Sequence, residues 1–118
     1  MDPHYGLPVL DVDLEELESR YLMAFTKAVA GDTSAVMLSH VLVPVIDQDL
    51  PVTLSAAAIG LLRNTLGFNG IIMSDDMAMS AISGSRSPEA AAVLALDAGV
   101  DMIMVSSTRQ AIQCMYTP

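Results

Sequence analysis

Tryptophan is absent from this chain, and aromatic residues of all kinds make up only 4% of it. Leu, Val, Ile, Ala and nine methionines must therefore fill any core. Lysine occurs once, at Lys27, and 5 basic residues face 14 acidic ones, giving a formal charge of −9. Without a basic stripe to neutralise phosphates, the sequence argues against nucleic acid as a partner, and against an anionic membrane surface for the same reason. The single cysteine, Cys114, allows no intrachain disulfide and no Cys/His zinc spacing, so neither a metal nor another cofactor is expected. No apolar run approaches the roughly 20 residues of a membrane span. The opening Met1-Asp2-Pro3-His4-Tyr5 lacks the basic flank and apolar stretch of a signal peptide, so a cytoplasmic protein is expected.

What the chain does have is apolar material, 53% of its residues, with a charged fraction of 16% that lies below the usual globular quarter. That balance argues against disorder and for segments buried on both faces. Residues 1–13 read as irregular, with Pro3, Gly6 and Pro8 as breakers. From Leu14 to Ala30 the apolar residues Leu14, Leu17, Tyr21, Phe25, Ala28 and Val29 recur at helical spacing. Glu15, Glu16 and Glu18 sit in the first turns, where the helix dipole favours acids, and Gly31 is placed to close the helix.

Three short apolar runs follow, at 35–39, 70–74 and 101–105. None alternates polar with apolar, which suits strands covered on both faces, as in parallel sheets. Between the first two, a helix should begin at the N-cap Ser55 and stop at Gly67. Between the second and third, Ser87-Pro88-Glu89 supplies a cap, a proline at the first helical position and an acid in the first turn, and Gly99 supplies the stop. A last helix should start near Ser107 or Thr108. Strands thus recur about every 30 to 35 residues, the spacing of βαβ units, which connect right-handedly into a parallel sheet. Three strands leave two open edges, so the chain is expected to be cut from a larger fold, or to self-associate through those edges.

Ligands of parallel α/β folds bind outside the carboxyl ends of the strands. There the sequence places His40, then Asp75 and Asp76, then Ser106 and Ser107. A carboxylate fixed at a strand end serves as nucleophile, base or metal ligand, or it caps the following helix; for Asp75 both readings stand, and for Asp76 capping or solvation is preferred. His40 reads as a structural hydrogen-bond partner, with an acid or ligand role as the sharper alternative. Metal binding by His40 with the two aspartates lacks any fixed geometry. His4 reads as solvent-exposed. Met73, Met77 and Met79 read as core or pocket wall, and the Ser-Gly-Ser stretch at Gly84 has no phosphate-binding glycine spacing.

Taken together, three stretches resemble one family. They are Ala35-Val36-Met37-Leu38-Ser39-His40-Val41-Leu42-Val43-Pro44 with Leu50-Pro51-Val52-Thr53-Leu54-Ser55, then Leu66-Gly67-Phe68-Asn69-Gly70-Ile71-Ile72-Met73-Ser74-Asp75-Asp76-Met77, then Ser87-Pro88-Glu89-Ala90-Ala91 leading to Ala98-Gly99-Val100-Asp101. The family is the family-three glycoside hydrolases, in their bacterial β-N-acetylhexosaminidase branch. The resemblance implies a partial (β/α)8 TIM-type barrel of about three β/α units, with residues 1–118 as the C-terminal part of the catalytic domain. It implies Asp75 as the nucleophile of a retaining glycosidase, His40 as a residue lining the sugar site, and an N-acetylglucosaminide-type carbohydrate as substrate. The Lys-His pair and the Gly-His-Gly-Asp loop that carry sugar binding and acid/base work in that branch are not in this sequence. These residues alone are therefore expected to be inactive.

Two other readings were open. A phosphoacceptor receiver domain needs an acidic pair after its first strand and a lysine after its last, and the sole lysine, Lys27, lies in the first helix. A non-catalytic remnant, or a subunit that completes its barrel with another chain, would use the same open strand edges.

Overall fold

The computed structural model describes residues 1–106, so the helix expected near Ser107 and the lone Cys114 lie outside the described residues. Three parallel strands form one sheet in the order β1-β2-β3: β1 is Ala35–Leu38, β2 is Ile71–Asp76 and β3 is Met102–Met104. Helix α1, residues 14–30, precedes β1. Helix α2, residues 56–65, joins β1 to β2, and the short α3 (Ser80–Ser83) and longer α4 (Pro88–Ala98) join β2 to β3.

The helix ends form for the local reasons visible in the sequence. Ser55 accepts from the Ala58 N–H and Ser87 from the Ala90 N–H, with Pro88 opening α4. Each satisfies an orphan donor of the first turn. Gly67 (φ 71) and Gly99 (φ 112) take the left-handed conformation that ends a helix. At the end of α1 the arrangement differs from expectation. Gly31 keeps φ −88, and Asp32 turns left-handed (φ 57), which an aspartate tolerates better than most residues.

Both α1 and α2 contain a wide turn that no local signal announced. In α1 it spans Leu17–Tyr21, and the Leu22 N–H donates to the Leu17 carbonyl; in α2 it spans Leu61–Thr65, with the Leu66 N–H on the Leu61 carbonyl at 3.0 Å. Such five-residue turns insert one residue into the helix and rotate the faces on either side. Leu17 is accordingly buried, while Leu14 and Phe25 of the same expected stripe are exposed. An apolar groove of about 270 Å³ runs between α1 and the sheet, lined by Leu17, Tyr21, Phe25, Val36, Leu38 and Leu62 among others.

The sheet has two unlike faces. Val36 and Ile72 turn toward α2 and α4 and pack with Ile59, Leu62, Phe68, Ala91, Ala95 and Val100. On the opposite face Met37, Ile71, Met102 and Met104 are exposed. The uninterrupted apolar runs pointed to burial on both sides; among the described residues only the helix side is covered. The leader is more ordered than its breakers suggested. The Leu42 N–H donates to Pro8, the Leu10 N–H to Leu42, and the Ala81 N–H to Pro3.

The amino ends of the strands are clamped by one guanidinium. Arg63 of α2 donates through Nη1 to the carbonyls of Phe68 (3.0 Å) and Gly70 (2.6 Å), and through Nη2 to Asp101 Oδ2 at 2.5 Å. The same carboxylate oxygen accepts from the Ile72 N–H at 2.8 Å, and the guanidinium stacks on Phe68 with its centre 5.5 Å from the ring. Planar, five-donor geometry makes this possible for Arg and not for Lys.

Candidate active site

At the other end of the sheet the carboxyl ends of the strands come together. β2 runs through Asp76, so the two aspartates are its last residues and not the start of the next loop. Side chains alternate along a strand. Ile72 and Ser74 are fully buried, Ile71 is exposed, and Asp75 is half-buried at the end of the strand. Its Oδ1 accepts from the Asp76 N–H at 2.7 Å. Oδ2 has no hydrogen-bond partner among the described residues.

The pairing of β2 with β3 is irregular at this point. Met73 pairs with Met102 but Asp76 pairs with Met104, so β2 carries one extra residue between the two. The buried Ser74 hydroxyl fills the gap by accepting from the Met104 N–H at 3.0 Å. Bulges re-aim side chains and recur beside active sites. Nothing in the sequence announced this one, since a serine in an apolar run signals no irregularity by itself.

Asp76 works inward. Its Oδ1 accepts from the backbone N–H groups of Ala78 and Ser106, both at 3.0 Å, tying β2 to the turn after it and to the end of β3. Burial pushes its pKa up, but hydrogen bonds from Ser106 and Ala78, with His40 nearby, outweigh burial and hold it below the ordinary value. The expected capping role matches this geometry. Met77 and Met79 pack into the core beneath, as read from the sequence.

His40 lies behind the carboxylates. Its ring is wholly buried, with Nδ1 2.8 Å from Thr53 Oγ1 and Nε2 2.9 Å from the Asp76 carbonyl. The ring is covered, and both its nitrogens are engaged. A carbonyl can only accept, so Nε2 carries the proton and Nδ1 accepts from the Thr53 hydroxyl. Burial lowers the imidazole pKa below 6.5, against an upward pull from the Asp76 carbonyl and the charges of Asp75 and Asp76. The unfolded chain therefore binds the proton at a higher pH than the folded one. Stability is fully present above pH 6.5 and falls as the pH drops from there toward the folded pKa. A urea midpoint lower at pH 5.5 than at pH 7.5 is expected, with the difference reduced in His40→Gln; equal midpoints for the unsubstituted chain would mean that the ring is not held neutral.

His4 is exposed beside Asp2, at 2.7 Å, far from this cluster in the chain and with no link to it. The apolar groove is lined by neither aspartate nor His40, and its walls offer a sugar little to hydrogen-bond. Among the described residues, no three His, Cys, Asp or Glu side chains converge on one point, and no helix is long and apolar enough to cross a membrane.

Parallel strands backed by helices on one side, the middle strand ending in two carboxylates, have the make-up of a section of a (β/α)8-type barrel. The particular family follows from comparison with known proteins. A family model described as the glycosyl hydrolase family 3 N terminal domain matches residues 1–116, and the chain belongs to that family. It is 37% identical over 105 residues to a β-hexosaminidase of Xylella fastidiosa (strain 9a5c), covering 88% of this chain and 31% of that one. Among solved structures, a glycoside hydrolase family 3 β-N-acetylglucosaminidase from Paenibacillus sp. str. FPU-7 superposes with a TM-score of 0.95 at 36% identity, covering 98% of this chain and 22% of that one. The β-N-acetylglucosaminidase from Thermotoga maritima does so with 0.83 at 39% identity, covering 92% and 24%. The chain thus spans about a third of the length of the curated relatives it matches.

Proposed function

We propose that these residues form the C-terminal part of the catalytic barrel of an enzyme that removes terminal β-linked N-acetylhexosamine with retention of configuration, and that Asp75 is its nucleophile. The observation that carries the reading is the position of Asp75, a half-buried carboxylate at the carboxyl end of β2 whose Oδ2 has no hydrogen-bond partner among the described residues. The relatives' names, β-hexosaminidase and β-N-acetylglucosaminidase, supply the substrate class.

The chemistry is a double displacement. Asp75 attacks the anomeric carbon, the C1–O bond to the leaving sugar breaks, and an acid outside these residues protonates the departing oxygen. Water then attacks C1 of the glycosyl ester, gives its proton to the same group acting as base, and frees the carboxylate. Since nucleophile and acid/base act as a unit, residues 1–118 alone are inactive in this reading. In this reading His40 belongs to the site, held at the strand end by Thr53 and the Asp76 carbonyl.

An activated, fluorinated N-acetylglucosaminide that forms the glycosyl ester but releases it slowly tests this directly. In a completed barrel, the label is expected on the peptide containing Asp75. Labelling of a different residue, or turnover with no covalent adduct, would overturn the assignment.

A second reading, a subunit that completes its barrel with another chain, is favoured by the apolar open face. Met37, Ile71, Met102 and Met104 are too many large exposed side chains for a free sheet face.

A further inference from the structure

Thr53 has no part in the mechanism above, yet it is wholly buried and holds the imidazole at a fixed point. It sits in the short turn Val52–Leu54, outside every strand. That turn is pinned from three directions: the Val52 N–H donates to Val41 (2.9 Å), the Leu54 N–H to Pro51 (2.8 Å), and the Ser55 hydroxyl to Asp47 Oδ2 (2.7 Å). Asp47 is itself fixed by the N–H groups of Asp49 and Leu50.

What the imidazole reaches matters because of where the sheet stops. The β1–β2 ladder ends at Leu38 and Ser74, so on its β1 side the strand has no ladder partner at Asp75 and Asp76. On its β3 side the bulge interrupts the pairing over Ser74 and Asp75, and pairing resumes at Asp76 opposite Met104. His40 Nε2–H takes the place of the missing ladder bond on the Asp76 carbonyl. Asp76 in turn presents its own N–H to Asp75 Oδ1. A neutral imidazole has two tautomers, and only the one with the proton on Nε2 can make this bond. The Asp76 carbonyl, which can only accept, fixes that tautomer, and the Thr53 hydroxyl, donating to Nδ1, holds the ring in place to make the bond.

We propose that Thr53 is a positioning residue: by anchoring the His40 ring it holds the Asp76 backbone in place and so fixes the orientation of the Asp75 carboxylate. The catalytic consequence rests on Asp75 being the nucleophile; the structural linkage does not.

The test reads the linkage without turnover. The chain has two histidines, so long-range ¹H–¹⁵N spectra of the 118-residue protein separate His40 from the exposed His4 readily. His40 is expected as the Nε2–H tautomer. In Thr53→Val, the ring loses its anchor at Nδ1, so the His40 Nε2–H signal should shift and broaden, and exchange of the Asp76 amide should quicken about tenfold, as for loss of one bond. The Ile72 amide, bonded to Asp101 at the far end of the strand, should keep its rate. Thr53→Ser should restore both signals. An Nδ1–H tautomer in the unsubstituted protein would overturn the proposal. So would equal acceleration of Asp76 and Ile72, which marks general loosening, or a Thr53→Ser variant that behaves like Thr53→Val. If instead the covalent label misses Asp75 while these spectra hold, the glycosidase assignment fails and the linkage stands.

Discussion

Asp75→Ala, made in a barrel completed by substituting this chain for the matching third of the Xylella fastidiosa β-hexosaminidase, is expected to lower kcat by about ten-thousand-fold or more. In the proposed mechanism the loss follows from removing the atom that would form the covalent bond, since binding and leaving-group protonation cannot replace it. Azide should restore part of the turnover by attacking C1 from the vacated side, giving a glycosyl azide of inverted configuration. Asp76→Asn, which keeps the acceptor for Ala78 and Ser106, is expected to cost about tenfold, the scale of one weakened hydrogen bond. An Asp75→Ala variant that keeps a tenth of the activity would remove Asp75 from the mechanism. Turnover by the unsupplemented chain, abolished by Asp75→Ala, would instead show that the missing loop is not needed.

The second large effect is on stability and is a contrast between neighbours. Ile72 is fully buried against α2 and α4, whereas Ile71, one residue earlier, is 44% exposed. Ile72→Ala is expected to cost about 3 kcal/mol, from lost transfer energy plus the cavity left behind. Ile71→Ala should cost less than about 1 kcal/mol, because its side chain leaves water only in part. Urea midpoints of the two variants measure the difference. Equal and large costs would mean that the open face is covered in solution, as self-association would do, and sizing of the purified chain would then show an oligomer.

Much of the fold was legible because its signals are local. Ser55, Ser87 with Pro88, Gly67 and Gly99 are short-range statements about orphan donors and left-handed backbone, and the helices and strands stand between them as expected. The place of Asp75 at a strand end was legible for a similar reason. The apolar run stops there, and parallel folds put their chemistry at that end.

What was not legible depends on partners far along the chain. The bulge at Ser74 exists only relative to β3, 30 residues on. The enclosure of His40 depends on Thr53, 13 positions away, and Asp76, 36 away, which close around both its nitrogens. The wide turns in α1 and α2 move apolar residues off a stripe that regular periodicity would keep. The runs of Met and Ile were readable as strands, but an apolar side chain does not say what will cover it.

The clamp of Arg63 on Phe68, Gly70 and Asp101 lies at the end of the sheet opposite the aspartates. That separation divides the molecule into a rim that can be rewritten and a base that cannot. Loops around Asp75 can lengthen, shorten or acquire new side chains across evolutionary time while the strands stay fastened from below. Variation at the rim would then alter the specificity of the proposed enzyme, whereas variation at Arg63 would weaken the fold that carries it.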